Sequence, residues 1–298
     1  MEITTPSGLE GEIRHLSIGD GRHLTSLRAS KSNKIPDYIL SSCWVETSDE
    51  GMYKFSNGKP NFGLVIAGDR DYSLMQIRIA TFGPEYSFKI QCKAGMCNER
   101  FEWSIDLANL PVKHLKKKDR ETFAAGNRFE ETLPGTNKKI WFMLATGNDL
   151  LNAAAQRKQA KHKDRNKRLR AANDDEQNLI LESIVMRTLD IEGVSLDEKN
   201  PVKKKKLIRA YLESPDLSLG IAPKILDLFD SHDCGVETTI EVECPHCDRK
   251  QDVNVPFDED FFFPRKTSPS VGSTVMMLET KEKEPETDKE EEDEEAGE

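Results

Sequence analysis

The chain has 298 residues, of which 36% are hydrophobic and 32% are charged, and its formal net charge is −10. This length allows one or two domains with a sizeable core, and the composition is that of a polar globular protein. No apolar run is long enough to cross a bilayer, and the first residues lack the pattern of a signal peptide, so we expect a cytoplasmic protein. Residues 1–264 carry a net charge of only −3, which argues against a dedicated nucleic-acid binder.

The first half of the chain begins with an alternating apolar and polar stretch that predicts a strand over Glu12–Ile18. A Gly-Asp-Gly turn follows and predicts the start of a helix, because an Asp side chain can cap it. Apolar residues at helical spacing predict helices within Ile35–Leu40 and Asp69–Phe82. Alternation over Tyr86–Ile90 and Phe101–Ile105 then predicts a β-hairpin.

The second half repeats this order of elements. A stretch of strand character over Lys139–Ala145 precedes a Gly-Asn-Asp turn, and helical spacing recurs within 207–212 and 225–229. Alternation over Thr238–Val242 and Val253–Phe257 predicts a second hairpin. We therefore predict an α+β fold of two related halves, each made of helices and a β-hairpin.

Composition divides the chain into three regions. We assign residues 9–118 to the first half, 136–264 to the second half and 265–298 to an acidic tail. The tail has a net charge of −7, and we expect it to be disordered because it is too polar to bury a core. Its short apolar cluster at 275–278 is either a chance cluster or a partner-binding motif.

The second half contains a basic helical insertion at about 155–172, followed by a further predicted helix that begins near Asn173. Its charges are interpreted as a solvated helix face, with a surface for an acidic partner or for the acidic tail as the alternative. Nucleic-acid binding is disfavoured because no aromatic side chains interleave with these charges.

Each predicted hairpin carries two cysteines at its tip, Cys92 with Cys97 and Cys244 with Cys247. Thiolates that share a turn can bind one tetrahedral ion, and two such tips complete a four-thiolate zinc site. We predict that these four residues bind one structural zinc ion in a zinc-ribbon-like arrangement that joins the two halves. Free thiols, two unrelated pairs and a redox pair remain alternatives, although a redox Cys-x-x-Cys motif normally begins a helix.

The remaining titratable residues suggest no catalytic set. The six histidines are scattered, and no phosphate-binding glycine loop, metalloprotease motif, nucleophile elbow or dinucleotide fingerprint is present. We expect His246 to face solvent and the isolated Cys43 and Cys234 to be small, at least partly buried side chains. The sequence therefore predicts a protein that is not an enzyme.

Several segments together resemble a known protein family. They are Leu9–Arg14, Gly68–Leu74, Ile77–Tyr86, Val255–Phe257 and Phe261–Pro264, together with the paired cysteines that follow strands. In these segments the chain resembles the baseplate hub assembly chaperones of T-even-type and related contractile-tailed phages. It departs from that pattern in the wide spacing of its first cysteine pair, in its basic insertion and in its acidic tail.

The resemblance implies a chaperone that helps baseplate hub or tape-measure proteins assemble in the host cytoplasm. A structural component retained in the virion baseplate, a zinc-ribbon nucleic-acid binder and an unrecognised enzyme remain alternatives. The consecutive phenylalanines at 261–263 are interpreted as core residues on both sides of a final strand, with an exposed partner-binding patch as the alternative.

Overall fold

The computed structural model describes residues 1–29, 34–153, 172–256 and 259–262. The described residues form one compact unit that ends at Phe262 and contains both predicted halves. The acidic tail, its apolar cluster and nearly all of the basic insertion lie outside the described residues. None of the described helices is both long and apolar enough to cross a membrane. The unit contains both helices and strands, and this part of the predicted fold class is confirmed.

The first half begins with a three-stranded antiparallel sheet, continues with a long helix and ends in a β-hairpin. Its elements are β1 (Glu2–Thr4), β2 (Glu10–Ile13), α1 (Ile18–Ala29), α2 (Ile35–Cys43), β3 (Trp44–Asp49), α3 (Ala67–Phe82), β4 (Glu85–Gln91) and β5 (Arg100–Asp106).

A connecting region of three short elements leads to the second half. These elements are a 3₁₀ turn (Leu107–Asn109), β6 (Val112–Lys113) and α4 (Lys117–Gly126).

The second half also begins with a three-stranded antiparallel sheet and ends in a hairpin, which a four-residue helix follows. Its elements are β7 (Phe129–Thr132), β8 (Lys139–Phe142), helical residues 147–153, α5 (Ala172–Arg187), β9 (Thr188–Ile191), α6 (Pro201–Leu212), α7 (Ile221–Ser231), β10 (Gly235–Val236), β11 (Thr239–Glu243), β12 (Lys250–Asn254) and α8 (Glu259–Phe262).

The two sheets have the same topology. Their strand orders are β1-β2-β3 and β7-β8-β9, with every neighbouring pair antiparallel. In each sheet a short loop joins the first two strands, and helices connect the central strand to the third. The repeated order of elements seen in the sequence therefore corresponds to a repeated topology, while the boundaries of the halves remain predictions.

The same type of helix cap follows the central strand of each sheet. Before α1, the Asp20 carboxylate accepts a hydrogen bond from the Ser17 amide at 2.8 Å. Before the helical residues 147–153, Asp149 accepts one from the Thr146 amide at 2.9 Å. Both are capping boxes, in which a side chain three residues into the helix satisfies the amide of the cap residue. The prediction that β2 extends to Ile18 is therefore wrong: β2 ends at Ile13 because Ser17 caps the helix that begins at Ile18.

The two halves meet where α3 crosses β10. A Cβ atom on Gly68 would lie 1.9 Å from the backbone oxygen of Cys234, so only glycine permits this approach. The next residue, Asp69, is fully buried and accepts hydrogen bonds from the Ser7 amide at 2.9 Å and from the Tyr53 hydroxyl at 2.7 Å. Burial holds the pKa of the Asp69 carboxyl above its ordinary value, and these hydrogen bonds reduce the rise without cancelling it. Gly68 therefore serves packing between the halves, whereas the hydrogen bonds of Asp69 to Ser7 and Tyr53 hold the N-terminal part of the chain together.

Two sequence expectations about the end of the second half are wrong. The returning strand of the hairpin is Lys250–Asn254 rather than Val253–Phe257, because pairing with β11 begins directly after the cysteine turn. Phe261 and Phe262 are buried, as expected, but they belong to a helical turn rather than a strand. The helical turn is anchored by Arg78, whose Nε donates a hydrogen bond to the Phe261 carbonyl at 3.1 Å.

Candidate metal centre

The tips of the two hairpins bring four cysteines together. The Sγ atoms of Cys92, Cys97, Cys244 and Cys247 all lie within 4.8 Å of one another. Two close pairs of sulfur atoms join the hairpins: Cys92 to Cys247 at 3.7 Å and Cys97 to Cys244 at 3.9 Å. Zinc–sulfur bonds of about 2.3 Å require sulfur–sulfur edges of about 3.8 Å in a tetrahedron. The four thiols therefore fit one tetrahedral metal ion, with each hairpin supplying two ligands.

The two tips have equivalent backbone geometry despite their different cysteine spacings. The residue after the second cysteine of each pair, Asn98 or Asp248, adopts a left-handed conformation with φ of 51° or 57°. Asn and Asp tolerate this conformation better than other residues with a side chain. The longer loop of the first hairpin therefore ends in the same turn as the shorter loop of the second.

Backbone amides surround the sulfur atoms in a regular pattern. The Ala94 amide donates a hydrogen bond to Cys92 Sγ at 3.4 Å, two residues further along the chain. Amides two residues after the other three cysteines donate in the same way; they belong to Glu99, His246 and Arg249. Hydrogen bonds of this kind favour thiolates and orient ligands before a metal binds.

When no cation is bound, the environment favours ionisation of Cys244 and opposes ionisation of Cys97 and Cys247. Burial would raise the pKa of Cys244, but donation from the His246 amide and from neighbouring thiols brings that pKa below its ordinary value. At Cys247 the Arg249 amide lowers the pKa, yet desolvation and the other thiols raise it to about 12. A divalent cation supplies the charge that allows all four groups to ionise, because like charges this close oppose one another.

One buried polar side chain connects the hairpins beside the cluster. Gln251 accepts a hydrogen bond from the Lys93 amide at 2.8 Å and donates one to the Gln91 carbonyl at 3.2 Å. It lies in β12, on the inner face of the second hairpin. The sequence analysis did not identify Gln251. Its only signal in the sequence is a polar residue at an inward position of an alternating strand.

The side chains of the other candidate residues take no part in the four-cysteine cluster. Cys43 and Cys234 are buried, and desolvation raises the pKa of both thiols, to about 11 at Cys43. The His246 side chain is exposed, and His246 contributes its amide to the site. Cys92 and Cys244 are almost fully buried, whereas Cys247 is exposed and Cys97 is intermediate. The site is therefore closed on the side of the protein core and reaches solvent on the other.

Comparison with known protein families identifies a family for this chain. A family model described as T4 bacteriophage base plate protein matches residues 2–264, which covers both halves and the candidate metal centre. No curated protein and no solved structure matches the chain.

Proposed function

The chain belongs to the T4 bacteriophage base plate protein family, and we propose that it is a non-enzymatic chaperone for assembly of the baseplate hub. Its expected clients are hub or tape-measure proteins, which it would hold in the host cytoplasm before they enter the particle. The observation that carries this proposal is the family match over residues 2–264, together with the resemblance of the sequence motifs to hub assembly chaperones.

The candidate metal centre supports a structural rather than catalytic role for the metal. Four cysteine ligands leave no coordination position for water or substrate, and such closed sites stabilise folds. We propose that zinc occupies the centre and holds the tips of the two hairpins together. In this proposal the metal maintains the shape of the chaperone and takes no part in chemistry.

Co-purification tests the chaperone proposal most directly. The tagged full-length chain is expressed with the tail genes of its own phage, and the captured proteins are identified by mass spectrometry. Recovery of a hub or tape-measure protein, with little of this chain in mature particles, supports a transient chaperone. Stoichiometric retention in particles instead favours a structural baseplate component, and recovery of nucleic acid alone favours a zinc-ribbon nucleic-acid binder.

A matched pair of variants connects the metal centre to client binding. Cys92→Ser with Cys244→Ser removes a buried ligand from each hairpin, and we expect it to lose the captured protein. His246→Ala changes an exposed side chain between two ligands and should capture as much as the unmodified chain. Equal capture by both variants would mean that the metal centre is not needed for binding.

A further inference from the structure

The first hairpin has one open edge. β5 pairs with β4 and with no other strand of the described chain. The opposite edge, on β4, is occupied at both ends: Arg78 donates to the Glu85 carbonyl at 3.0 Å, and Gln251 donates to the Gln91 carbonyl at 3.2 Å. The edge of β5 is therefore where another strand can add to this hairpin.

The register of the hairpin shows which backbone groups of β5 point outward. The flanking bonds from the Cys92 amide to the Glu99 carbonyl and from the Leu107 amide to the Pro84 carbonyl fix the alternation of the ladder. Every second residue of β5 therefore directs its amide and carbonyl away from β4. These residues are Arg100, Glu102, Ser104 and Asp106, and all four side chains are exposed.

The alternate residues of β5 form a partly uncovered apolar face. Phe101 is buried, but Trp103 and Ile105 are only half-buried. The Phe101 and Trp103 rings are in edge-to-face contact, with centroids 6.4 Å apart. A strand added at this edge would extend the apolar face and cover Trp103 further.

The sequence of β5 is complementary to itself when two copies run antiparallel. With Trp103 on the two-fold axis, all seven residues overlap, and Arg100 lies opposite Asp106 of the other copy. Glu102 lies opposite Ser104, and these two residues have the outward amides and carbonyls that a hydrogen-bonded pair needs. Shifting the register by two residues instead places Glu102 opposite Glu102 or opposite Asp106, and like charges directly opposite are unfavourable.

The second hairpin does not offer a comparable edge. β11 pairs only with β12 in the described chain, and its outward residues are Thr239, Glu241 and Glu243. Antiparallel self-pairing centred on this strand places Glu241 opposite itself. The charges on β11 therefore oppose the pairing that the charges on β5 favour.

We infer that β5 is a homodimerisation edge, through which a second copy of this chain extends the first hairpin into a four-stranded sheet, β4-β5-β5-β4. The contact is isologous, because both copies use the same strand and every contact occurs twice, once from each copy. One pair of edge strands buries less surface than the roughly 1,200 to 2,000 Å² of a standard stable interface. The dimer should therefore dissociate on dilution, and this inference does not depend on the chaperone proposal.

Sedimentation velocity of the full-length chain over a concentration series tests the inference. We expect a monomer–dimer equilibrium that Ser104→Pro weakens at least about tenfold, because two intermolecular amide hydrogen bonds disappear. Ser104→Lys should tighten the dimer about fivefold, since the introduced ammonium group on each chain would face Glu102 of the other copy. Neither change touches a backbone hydrogen bond between β4 and β5.

The matched control is Glu241→Pro, which places proline at an outward position of β11 and should leave the dimer unchanged. Circular dichroism verifies that every variant is folded. A wild-type chain that stays monomeric at all concentrations overturns the inference, as does a dimer that Ser104→Pro and Ser104→Lys both leave unchanged. Loss of a captured tail protein by Ser104→Pro, without any dimer in the wild type, would assign the edge to a partner strand and also overturn it.

Discussion

Removal of the metal should destabilise the chain by an amount that the position of the centre determines. Cys92 and Cys247 are separated by 155 residues, so a shared ion closes a long loop between the hairpins. A cross-link over that separation lowers the entropy of the unfolded chain, which raises the free energy of unfolding by about 5 kcal/mol in the chain-entropy treatment used for disulfides. For a domain of this size, each kcal/mol corresponds to about 2 to 4 °C, so we expect the Tm to fall by roughly 10 to 20 °C.

Thermal unfolding followed by circular dichroism measures this loss, with and without a zinc chelator. The Cys92→Ser and Cys244→Ser double variant should unfold at the temperature of the chelated protein and should not respond to further chelator. His246→Ala should unfold with the unmodified protein in both conditions. An unmodified protein that contains bound zinc, but whose Tm the chelator leaves unchanged after removing that zinc, would refute the idea that the ion fastens the two hairpins.

Three further predictions concern the release of protons on zinc binding, the junction between the two halves and the two helix caps. Zinc binding should release protons near neutral pH, measured in weakly buffered solution. Because the pKa of Cys247 is raised to about 12, affinity should fall as pH falls and protons compete for the sulfurs. Gly68→Ala should lower the free energy of unfolding, measured by chemical denaturation, by about 3 kcal/mol, because the added Cβ meets the Cys234 carbonyl. Gly21→Ala is the control: a Cβ at Gly21 meets open space, so this change should raise the free energy of unfolding by about 0.5 to 1 kcal/mol through α1. Ser17→Ala and Thr146→Ala should each lower the free energy of unfolding by about 1 kcal/mol. The two losses should add in the double variant, because the caps begin helices that follow different sheets.

The hairpins and the four cysteines could be predicted because their signals are local. Alternation of period two indicates strands such as β4, and a cysteine pair between two alternating stretches places both sulfurs at one tip. The repeated order of elements then indicated that the two pairs occupy equivalent positions. The end of β2 was missed because Leu16 and Ile18 resemble a continuation of the strand, although the consecutive polar residues Arg14 and His15 interrupt the alternation and Ser17 already serves as a helix cap.

The junction between the halves could not be predicted, because its requirements arise only when distant segments meet. Gly68 looks like an unfavourable residue in a helix until the Cys234 backbone is placed against it. Its neighbour Asp69 looks like an ordinary residue in the first turn of a helix, yet it is buried within the N-terminal part of the chain against Ser7 and Tyr53, which come from separate loops. Such residues have no periodic signature, since their identity is determined by a contact rather than by their own element.

The open edge of β5 follows from the way in which the two hairpins meet. Each half ends in a two-stranded hairpin, and the metal centre joins the hairpins at their tips, with Gln251 connecting β4 to the second hairpin. These contacts join β4 and β12, which leaves β5 and β11 as the other two edges of the hairpins, and the charges on these two edges differ. Glu241 and Glu243 protect the edge of β11 from self-pairing, whereas Arg100 and Asp106 complement each other across a two-fold axis. One chain thus carries a protected edge on β11 and a self-complementary edge on β5, and this difference in charge between the two edges is what a specific contact requires.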